Sequence, residues 1–132
     1  MLFKYSVKTH KRVELINVDS YLMDAISKSG VNNGIAVLFV PHTTAGITIN
    51  ENADPSVVSD IVMELNKVIP FNDGYAHLEG NSAAHIKSSL VGPSLSLIIE
   101  GGRPLFGTWQ SVFFCEFDGP RTRSLWIKII KG

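Results

Sequence analysis

Runs of apolar residues divide the chain into about seven predicted β-strands. Each run is rich in β-branched or aromatic residues and is bounded by turn-forming residues, which is typical of strands. The run 34–40 is apolar at both parities, which predicts a strand covered on both faces. A hairpin through residues 41–43 would pair this strand with the next one. The predicted strands are 2–9, 12–17, 34–40, 44–50, 94–100, 108–117 and 124–130.

Three other stretches repeat apolar residues at the spacing of a helix. They cover residues 19–30, 54–70 and 81–92, and the middle one is the clearest because Pro55 follows a capping aspartate. Its apolar face holds Val58, Ile61, Val62, Leu65 and Ile69. The predicted N-caps are Asp19, Asp54, and Asn81 or Ser82, and the helices end at Gly30, Pro70 and Gly92.

Strands and helices in this mixed order predict an α+β fold. We expect a β-sandwich-like core of mostly antiparallel strands with the helices outside. The 132 residues fit a single domain over 1–132, because no repeat or linker-like stretch divides them. A (β/α)8 barrel, which needs about 200 residues or more, is excluded by length.

The amino-acid composition limits the classes of partner that the chain is expected to bind. Twelve Lys and Arg balance twelve Asp and Glu, so the charge favours neither a nucleic-acid nor a membrane partner. No run is apolar enough for a signal peptide or a membrane span, and we expect a cytoplasmic protein. Cys115 is the single cysteine and lies in an apolar run, which predicts a small buried side chain.

Three of the four histidines stand among small and polar residues at predicted element boundaries. His42 follows Pro41, His77 lies in a loop, and His85 lies one turn inside the third helix. Histidine is the commonest metal ligand and carries protons near neutral pH. We therefore expect His42, His77 and His85 to approach one pocket, which a neighbouring subunit could complete. His10 stands in a charged run and is expected at the surface.

The third helix predicts an anion site beside His85. Free N–H groups at a helix start favour anions, which makes Asn81 and Ser82 candidates for binding a phosphate. His85 shares a polar face with Ser82 and Ser89, although a solvated surface histidine is the plain alternative. The predicted apolar stripe of this helix consists of Ala83, Ile86 and Leu90.

The strand 44–50 has hydrogen-bonding side chains on one face. With period-two alternation, Thr44, Thr48 and Asn50 share that face and Glu51 follows. One interpretation is a solvated sheet face that leads into a capped turn. The other makes Thr44 and Asn50 substrate-binding residues, with His42 as an acid/base group at one end and Glu51 as a carboxylate at the other.

Arginines supply candidate phosphate ligands near the end of the chain. Arg121 and Arg123 follow the turn-like residues 118–120, and Arg103 follows two glycines. A guanidinium group binds phosphate oxygens bidentately. In the preceding strand, alternation places Glu116 on the less apolar face.

The histidines could also hold a divalent ion. Imidazole nitrogens and nearby carboxylates suit Zn²⁺, and Mg²⁺ is the ion that accompanies phosphate chemistry. The spacing of His42, His77 and His85 matches no H-E-x-x-H or Cys/His signature, so this prediction depends on the three residues meeting in space. Phosphate-loop, dinucleotide-binding and G-x-S-x-G motifs are absent.

Four motifs, taken in order, resemble the YjbQ-like family. They are HTTAG at 42–46 with the following residues to Pro55, EGNSAAHIK at 79–87, GTWQ at 107–110 and EFDGPR at 116–121. Members of this family are described as secondary thiamine-phosphate synthases. The resemblance implies coupling of hydroxymethylpyrimidine diphosphate to thiazole phosphate with release of diphosphate. It also implies a β-sandwich-containing α+β fold and a homotrimer.

The resemblance places functional residues at positions already singled out. The family's polar signature falls on His42, Asn50, Glu51, His77, Asn81, His85 and the turn 118–121. This chain departs from it at Ala83, where many relatives have an acidic residue, and in its short 78–80 loop. Fewer carboxylates are then available to a metal. In the implied reaction, His42, Glu51, His85 and Arg121 would be catalytic.

Two other functions fit the same residues. One is a non-catalytic trimer whose polar pocket binds an anion or a metabolite. The other is a metal-dependent hydrolase in which an imidazole-bound ion activates water. All three interpretations expect a small phosphorylated or anionic ligand in the pocket.

Overall fold

Two antiparallel sheets pack face to face, and helices flank them. The computed structural model describes residues 1–132. The strands are β1 (Leu2–Lys8), β2 (Glu14–Asn17), β3 (Gly34–Phe39), β4 (Ala45–Glu51), β5 (Ser94–Glu100), β6 (Arg103–Pro104), β7 (Gln110–Glu116) and β8 (Thr122–Lys131). The helices are α1 (Asp19–Ser29), α2 (Pro55–Val68) and α3 (Ser82–Val91). The predicted α+β class is confirmed, and the additional strand is the two-residue β6.

The chain crosses between the sheets at residues 40–44. The larger sheet has the order β1-β8-β3-β5-β6 and the smaller one β2-β7-β4. Both edges of β3 are occupied, by β8 and β5, whereas β4 pairs with β7. The predicted hairpin between β3 and β4 is therefore wrong. The Val40 N–H donates instead to the Pro93 carbonyl at 2.7 Å, which fixes the point where the crossing begins.

The hydrophobic core lies between the two sheets. Alternation along β3, β5 and β8 of the larger sheet buries side chains at every second position, and α1 closes one side of the layer. The core includes Ala36, Leu38, Leu125 and Ile127 of the larger sheet, Ile47, Val112 and Phe114 of the smaller one, and Leu22, Ala25 and Ile26 of α1. Cys115 is buried as predicted, on the other face of β7, and burial raises the pKa of its thiol to about 12.

The first helix begins one residue earlier than its cap prediction implies. Val18 occupies the N-cap position and Asp19 is the first helical residue. The Asp19 carboxylate accepts a hydrogen bond from the Val112 N–H at 2.8 Å. The prediction of Asp19 as N-cap is thus wrong, because this carboxylate ties α1 to β7 instead.

One chain covers only one face of β3. Ala36 and Leu38 are buried, but Ile35 and Phe39 on the other face are 47% and 41% exposed. Ile35 is in register with Ile98 and Ile130 on the neighbouring strands, and both are also exposed. The outer face of the larger sheet therefore carries an apolar row that this chain leaves open, contrary to the two-sided burial predicted for β3.

Small residues let α3 approach the smaller sheet closely. Ser88 Oγ donates to the Ala45 carbonyl at 2.6 Å, and a Cβ on Gly46 would lie 2.7 Å from the Gly92 carbonyl oxygen. The buried face of α3 consists of Ala83, Ala84, Lys87 and Ser88. The predicted stripe is therefore wrong at Ile86 and Leu90, which are exposed. This packing brings the last turn of α3 beside the start of β4.

The second helix has the predicted start. The Asp54 carboxylate accepts a hydrogen bond from the Ser56 N–H at 2.9 Å, and Pro55 is the first helical residue. The apolar face of α2 packs over β2 and is only half-buried. Of the residues predicted for this face, Ile69, which follows the helix, is buried. None of the three helices is long and apolar enough to span a membrane.

Candidate functional site

His77 and His85 meet at the start of α3. Their ring centroids lie 5.6 Å apart, edge to face, with His77 on the preceding loop and His85 one turn into the helix. They line a pocket of about 320 Å³ that contains no hydrophobic side chain. The other lining residues are Thr43, Thr44, Glu79, Asn81, Asp118 and Arg121. Five sequence-predicted site residues thus share one pocket: Thr44, His77, Asn81, His85 and Arg121.

Asp118 organises the wall opposite the histidines. Arg121 donates from Nε to the Asp118 carbonyl at 3.0 Å and from Nη2 to Asp118 Oδ2 at 3.1 Å. Asn81 Nδ2 donates to the same carboxylate oxygen at 2.9 Å. Asn81 therefore occupies the N-cap position of α3 without capping it, and its buried Oδ1 has no hydrogen-bond partner. A ligand that donates a hydrogen bond would satisfy this oxygen.

A buried ion pair supports the floor of this site. Glu116 and Arg123 are paired through both carboxylate oxygens, and each side chain is almost fully buried. Thr9 Oγ1 donates to Glu116 at 2.8 Å, and Arg123 Nη2 donates to Thr44 Oγ1 at 2.8 Å. Burial raises the pKa of Glu116, but hydrogen bonds from Arg123, the Asp118 N–H and Thr9 outweigh it and hold this pKa below its usual value. The carboxylate is therefore ionised near neutral pH.

This pairing corrects the role expected for Arg123. The sequence made Arg123 one of three candidate phosphate ligands and placed Glu116 on the less apolar face of its strand, whereas the two neutralise each other inside the protein. Their contact with Thr44 fixes the polar wall from below. Arg121, which is half-exposed, is the arginine available to a ligand.

His42 lies beside this pocket and is held by the backbone of β8. Its Nε2 accepts a hydrogen bond from the Ser124 N–H at 2.9 Å. Burial lowers the pKa of His42, and the positive charge of Arg123 lowers it further. The imidazole is therefore neutral near pH 7, with its proton on Nδ1 and its lone pair occupied. This arrangement suits a hydrogen-bond donor better than a metal ligand.

The lowered pKa of His42 predicts an acid-sensitive contribution to stability. In the unfolded chain His42 binds a proton near pH 6.5, but in the folded chain only at lower pH. Between these values the unfolded state binds more protons, so stability falls as the pH drops below about 6.5. His42→Gln should lose this part of the pH dependence. Urea unfolding of both proteins at pH 7.5 and 5.0 measures it, and equal losses in the two proteins would contradict the assignment.

Other predicted site residues lie apart from this pocket within one chain. Asn50 and Glu51 stand at the far end of β4, five and six residues from Ala45, which corresponds to about 17–20 Å along an extended strand. Arg103 stands at the turn between β5 and β6, and it is likewise separated from Pro93 by the length of β5. Ser82 remains close, in a cleft with His77 and His85. His10 is exposed beside Glu14, as expected.

A family comparison agrees with the motifs that line this site. The sequence model described as UPF0047 protein YjbQ-like matches residues 3–132. The chain belongs to the YjbQ-like UPF0047 family. The match includes the residues of both histidine-bearing segments and of the turn at Asp118, so the pocket belongs to the part of the chain that the family shares.

Relatives and solved structures agree with this membership. A UPF0047 protein of Methanocaldococcus jannaschii is 63% identical over 98% of this chain and 94% of its own length. UPF0047 protein YugU of Bacillus subtilis is 48% identical over 98% and 99%. A crystal structure of a YjbQ/UPF0047 protein from Clostridium acetobutylicum has a TM-score of 0.95 at 53% identity, covering 97% of this chain and 99% of the other. A YjbQ-like structure from Sulfolobus solfataricus gives 0.95 at 28% identity, covering 100% and 97%.

The pocket of this YjbQ-like chain does not by itself fit a divalent ion. His77 and His85 are close, but no third His, Cys, Asp or Glu joins them in a group that could hold a metal. The Asp118 carboxylate already accepts hydrogen bonds from Asn81 and Arg121. Bound Mg²⁺ or Zn²⁺ therefore stays a prediction for the assembled protein, in which another subunit would supply a ligand.

Sequence reasoning missed Lys87, a buried residue on the side of α3 that packs onto the protein. Its Nζ has no hydrogen-bond partner and lies 4.0 Å from the ring centroid of Phe71. The guanidinium carbon of Arg12 lies 3.6 Å from the same centroid. Burial and the nearby Arg12 lower the pKa of Lys87. These contacts hold α3 against the start of the loop that carries His77. From the sequence, a lysine at this position would be expected at the surface.

Proposed function

We propose that this chain catalyses phosphate-ester chemistry in the pocket of His77, His85 and Arg121. Its most specific form is thiamine-phosphate synthesis, in which hydroxymethylpyrimidine diphosphate is coupled to thiazole phosphate. One observation carries the proposal: two imidazoles, a half-exposed guanidinium group and the start of a ten-residue helix converge on one polar pocket. Such a combination of donors suits a phosphorylated ligand.

The residues have distinct parts in this reaction. The thiazole nitrogen forms a bond to the pyrimidine methylene carbon, while the bond from that carbon to the diphosphate oxygen breaks and its electron pair leaves with diphosphate. Negative charge therefore grows on the leaving oxygens. Arg121 and the free N–H groups at the start of α3 stabilise that charge. His77 and His85 donate hydrogen bonds to the same oxygens, and Asn81 Oδ1 accepts from the ligand.

Asn50 and Glu51 enter this proposal only through assembly. They are about 17–20 Å along β4 from the pocket, so neither reaches a ligand at Arg121 in the same chain. We propose that Glu51 acts catalytically in the pocket of a neighbouring subunit and not in the pocket of its own chain. His42 adds an Nδ1–H donor beside the shared wall of Thr43, Thr44 and Arg121.

A direct synthesis assay tests the proposed reaction. Purified protein with Mg²⁺ should form thiamine phosphate from the pyrimidine diphosphate and thiazole phosphate. The rate should be low compared with a dedicated enzyme, because Ala83 and the short 78–80 loop leave few carboxylates for a metal. Product is measured by chromatography after conversion to a fluorescent derivative. A yield no higher than that of Mg²⁺ without protein would contradict the proposal.

Anion binding without catalysis is the second candidate function. The distance of Glu51 from the pocket favours it, because one chain then has donors for an anion but lacks the predicted catalytic carboxylate. Binding of diphosphate in the pocket together with no product in the synthesis assay would select this alternative. Metal-dependent hydrolysis has less support, because no cluster of three metal-binding side chains forms within the chain.

We also propose that the chain assembles as a homotrimer. The exposed row of Ile35, Ile98 and Ile130 supports this, because exposed apolar patches of this kind mark interaction surfaces. In a closed ring of subunits, a neighbouring subunit covers each such surface. Light scattering should give three times the chain mass of 14.5 kDa. Ile98→Lys should lower that mass, whereas Met63→Lys on α2, equally exposed, should not. A wild-type mass of 14.5 kDa would exclude the trimer.

A further inference from the structure

A second pocket adjoins the pocket of the two histidines. It has a volume of about 500 Å³ and is open to solvent beside His42. The two pockets share Thr43, Thr44 and Arg121 as lining residues. A group bound at Arg121 is therefore within reach of both, and the volume of the second pocket lies in the range of small-molecule sites. We call it the His42 pocket.

The two pockets differ in chemical character. The pocket of His77 and His85 has no hydrophobic side chain, whereas the His42 pocket has apolar walls formed by Phe39, Pro41 and Pro93. These walls are fixed by their neighbours. The Pro93 carbonyl accepts the Val40 N–H, and the ring of Phe39 packs on Trp126 with centroids 6.0 Å apart. A flat apolar group can lie against such walls without rearranging them.

Few polar side chains of the His42 pocket remain free to bind a ligand. His42 is neutral and its Nε2 is occupied by the Ser124 N–H, so it offers an N–H donor at Nδ1. Arg123 faces the pocket but is neutralised by Glu116, whereas the half-exposed Arg121 pairs with Asp118 through Nε and Nη2 and keeps its Nη1 for an anion. The pocket thus provides apolar walls, one imidazole donor and, on its shared side, one guanidinium group. This combination matches an aromatic ring that carries a phosphate.

We propose that the His42 pocket holds the aromatic ring of a phosphorylated ligand whose phosphate lies at Arg121. The ring contacts Phe39, Pro41 and Pro93, and a ring nitrogen or oxygen accepts the His42 Nδ1–H. The chain therefore selects aromatic phosphates over phosphate alone. This inference rests on the proposed function, because it assumes phosphate at Arg121. It adds the residues that recognise the organic part of the ligand.

Calorimetric titration with two probes tests this inference. Inorganic phosphate reports on the Arg121 site alone, and benzyl phosphate reports on that site together with the ring. Wild-type protein should bind benzyl phosphate at least about tenfold more tightly, because the ring buries apolar surface. Phe39→Ser should remove this preference and leave the affinity for inorganic phosphate unchanged. Phe39→Thr, which removes the apolar ring but keeps a residue that favours β-strands, carries the same expectation if the serine variant fails to fold.

Met63→Ser is the matched control. Met63 is an exposed apolar residue of α2, which contributes no residue to either pocket, so its replacement should leave both affinities unchanged. Equal affinity of the wild type for the two probes would overturn the inference that the ring binds in the His42 pocket. It would still agree with a phosphate site at Arg121. No binding of either probe would overturn the phosphate site and, with it, this inference. A preference lost in Met63→Ser but kept in Phe39→Ser would place the ring elsewhere and overturn the assignment.

Discussion

Glu116→Ala should lower the free energy of unfolding by about 3–5 kcal/mol, the usual effect of breaking a buried ion pair from one side. The substitution leaves the buried guanidinium of Arg123 without its counter-charge and removes one of the two acceptors of Thr9 Oγ1. It also opens a cavity under Thr44. Urea unfolding, followed by circular dichroism at pH 7.5, measures the loss.

Two further variants separate loss of the pair from loss of volume. Glu116→Leu combined with Arg123→Met removes both charges and should recover most of the loss, since apolar replacement of a whole buried pair is often neutral. Glu14→Gln is the control outside the core, because the partly exposed Glu14 carboxylate lies beside the exposed His10 imidazole, and it should cost less than about 1 kcal/mol. A loss in Glu116→Ala no larger than that of Glu14→Gln would show that the buried pair does not support the site.

Arg121→Ala and His85→Ala should each remove most of the thiamine-phosphate synthesis, by about a hundredfold or more if each group stabilises the leaving diphosphate. Neither side chain is buried in the core, so the free energy of unfolding should change by no more than about 0.5 kcal/mol. The turnover number of each variant at saturating substrate, with unfolding curves of the same preparations, measures both expectations.

Arg103→Ala is the control for charge. It removes one exposed arginine at the turn between β5 and β6, away from the pocket, and should leave turnover unchanged. Full turnover in both Arg121→Ala and His85→Ala would move the chemistry out of this pocket. An equal fall in all three variants would indicate a general effect of surface charge.

Local signals were sufficient for most elements of the fold. Asp54 and Pro55 identify the start of α2 because capping and proline geometry act within a few residues. The face of α3 could not be read in the same way. Its buried side consists of two alanines, a lysine and a serine, so hydrophobicity points to Ile86 and Leu90 instead. Pairing of β4 with β7 rather than β3 depends on partners 59 to 71 residues distant, which no local pattern encodes.

The exposed residues of the site could be predicted from the sequence, whereas the contacts of its buried residues could not. His77, His85 and Arg121 stand at element boundaries, where ligand sites concentrate, and the fold brings them together. Glu116 and Arg123 could not be paired from the sequence, because β7 is apolar on both faces and either parity was a plausible core. The lone pair of His42 is occupied by the Ser124 N–H, a contact across 82 residues.

Titration of the protein with inorganic diphosphate, followed through its histidine ring resonances, tests the central claim most directly. The claim is that an anion binds between Arg121 and the pair of His77 and His85. We expect the ring signals of His77 and His85 to shift together and to saturate, while those of the exposed His10 stay in place. Arg121→Ala should abolish the shifts. Signals of His77 and His85 that do not move, or that move no more than those of His10, would contradict the account.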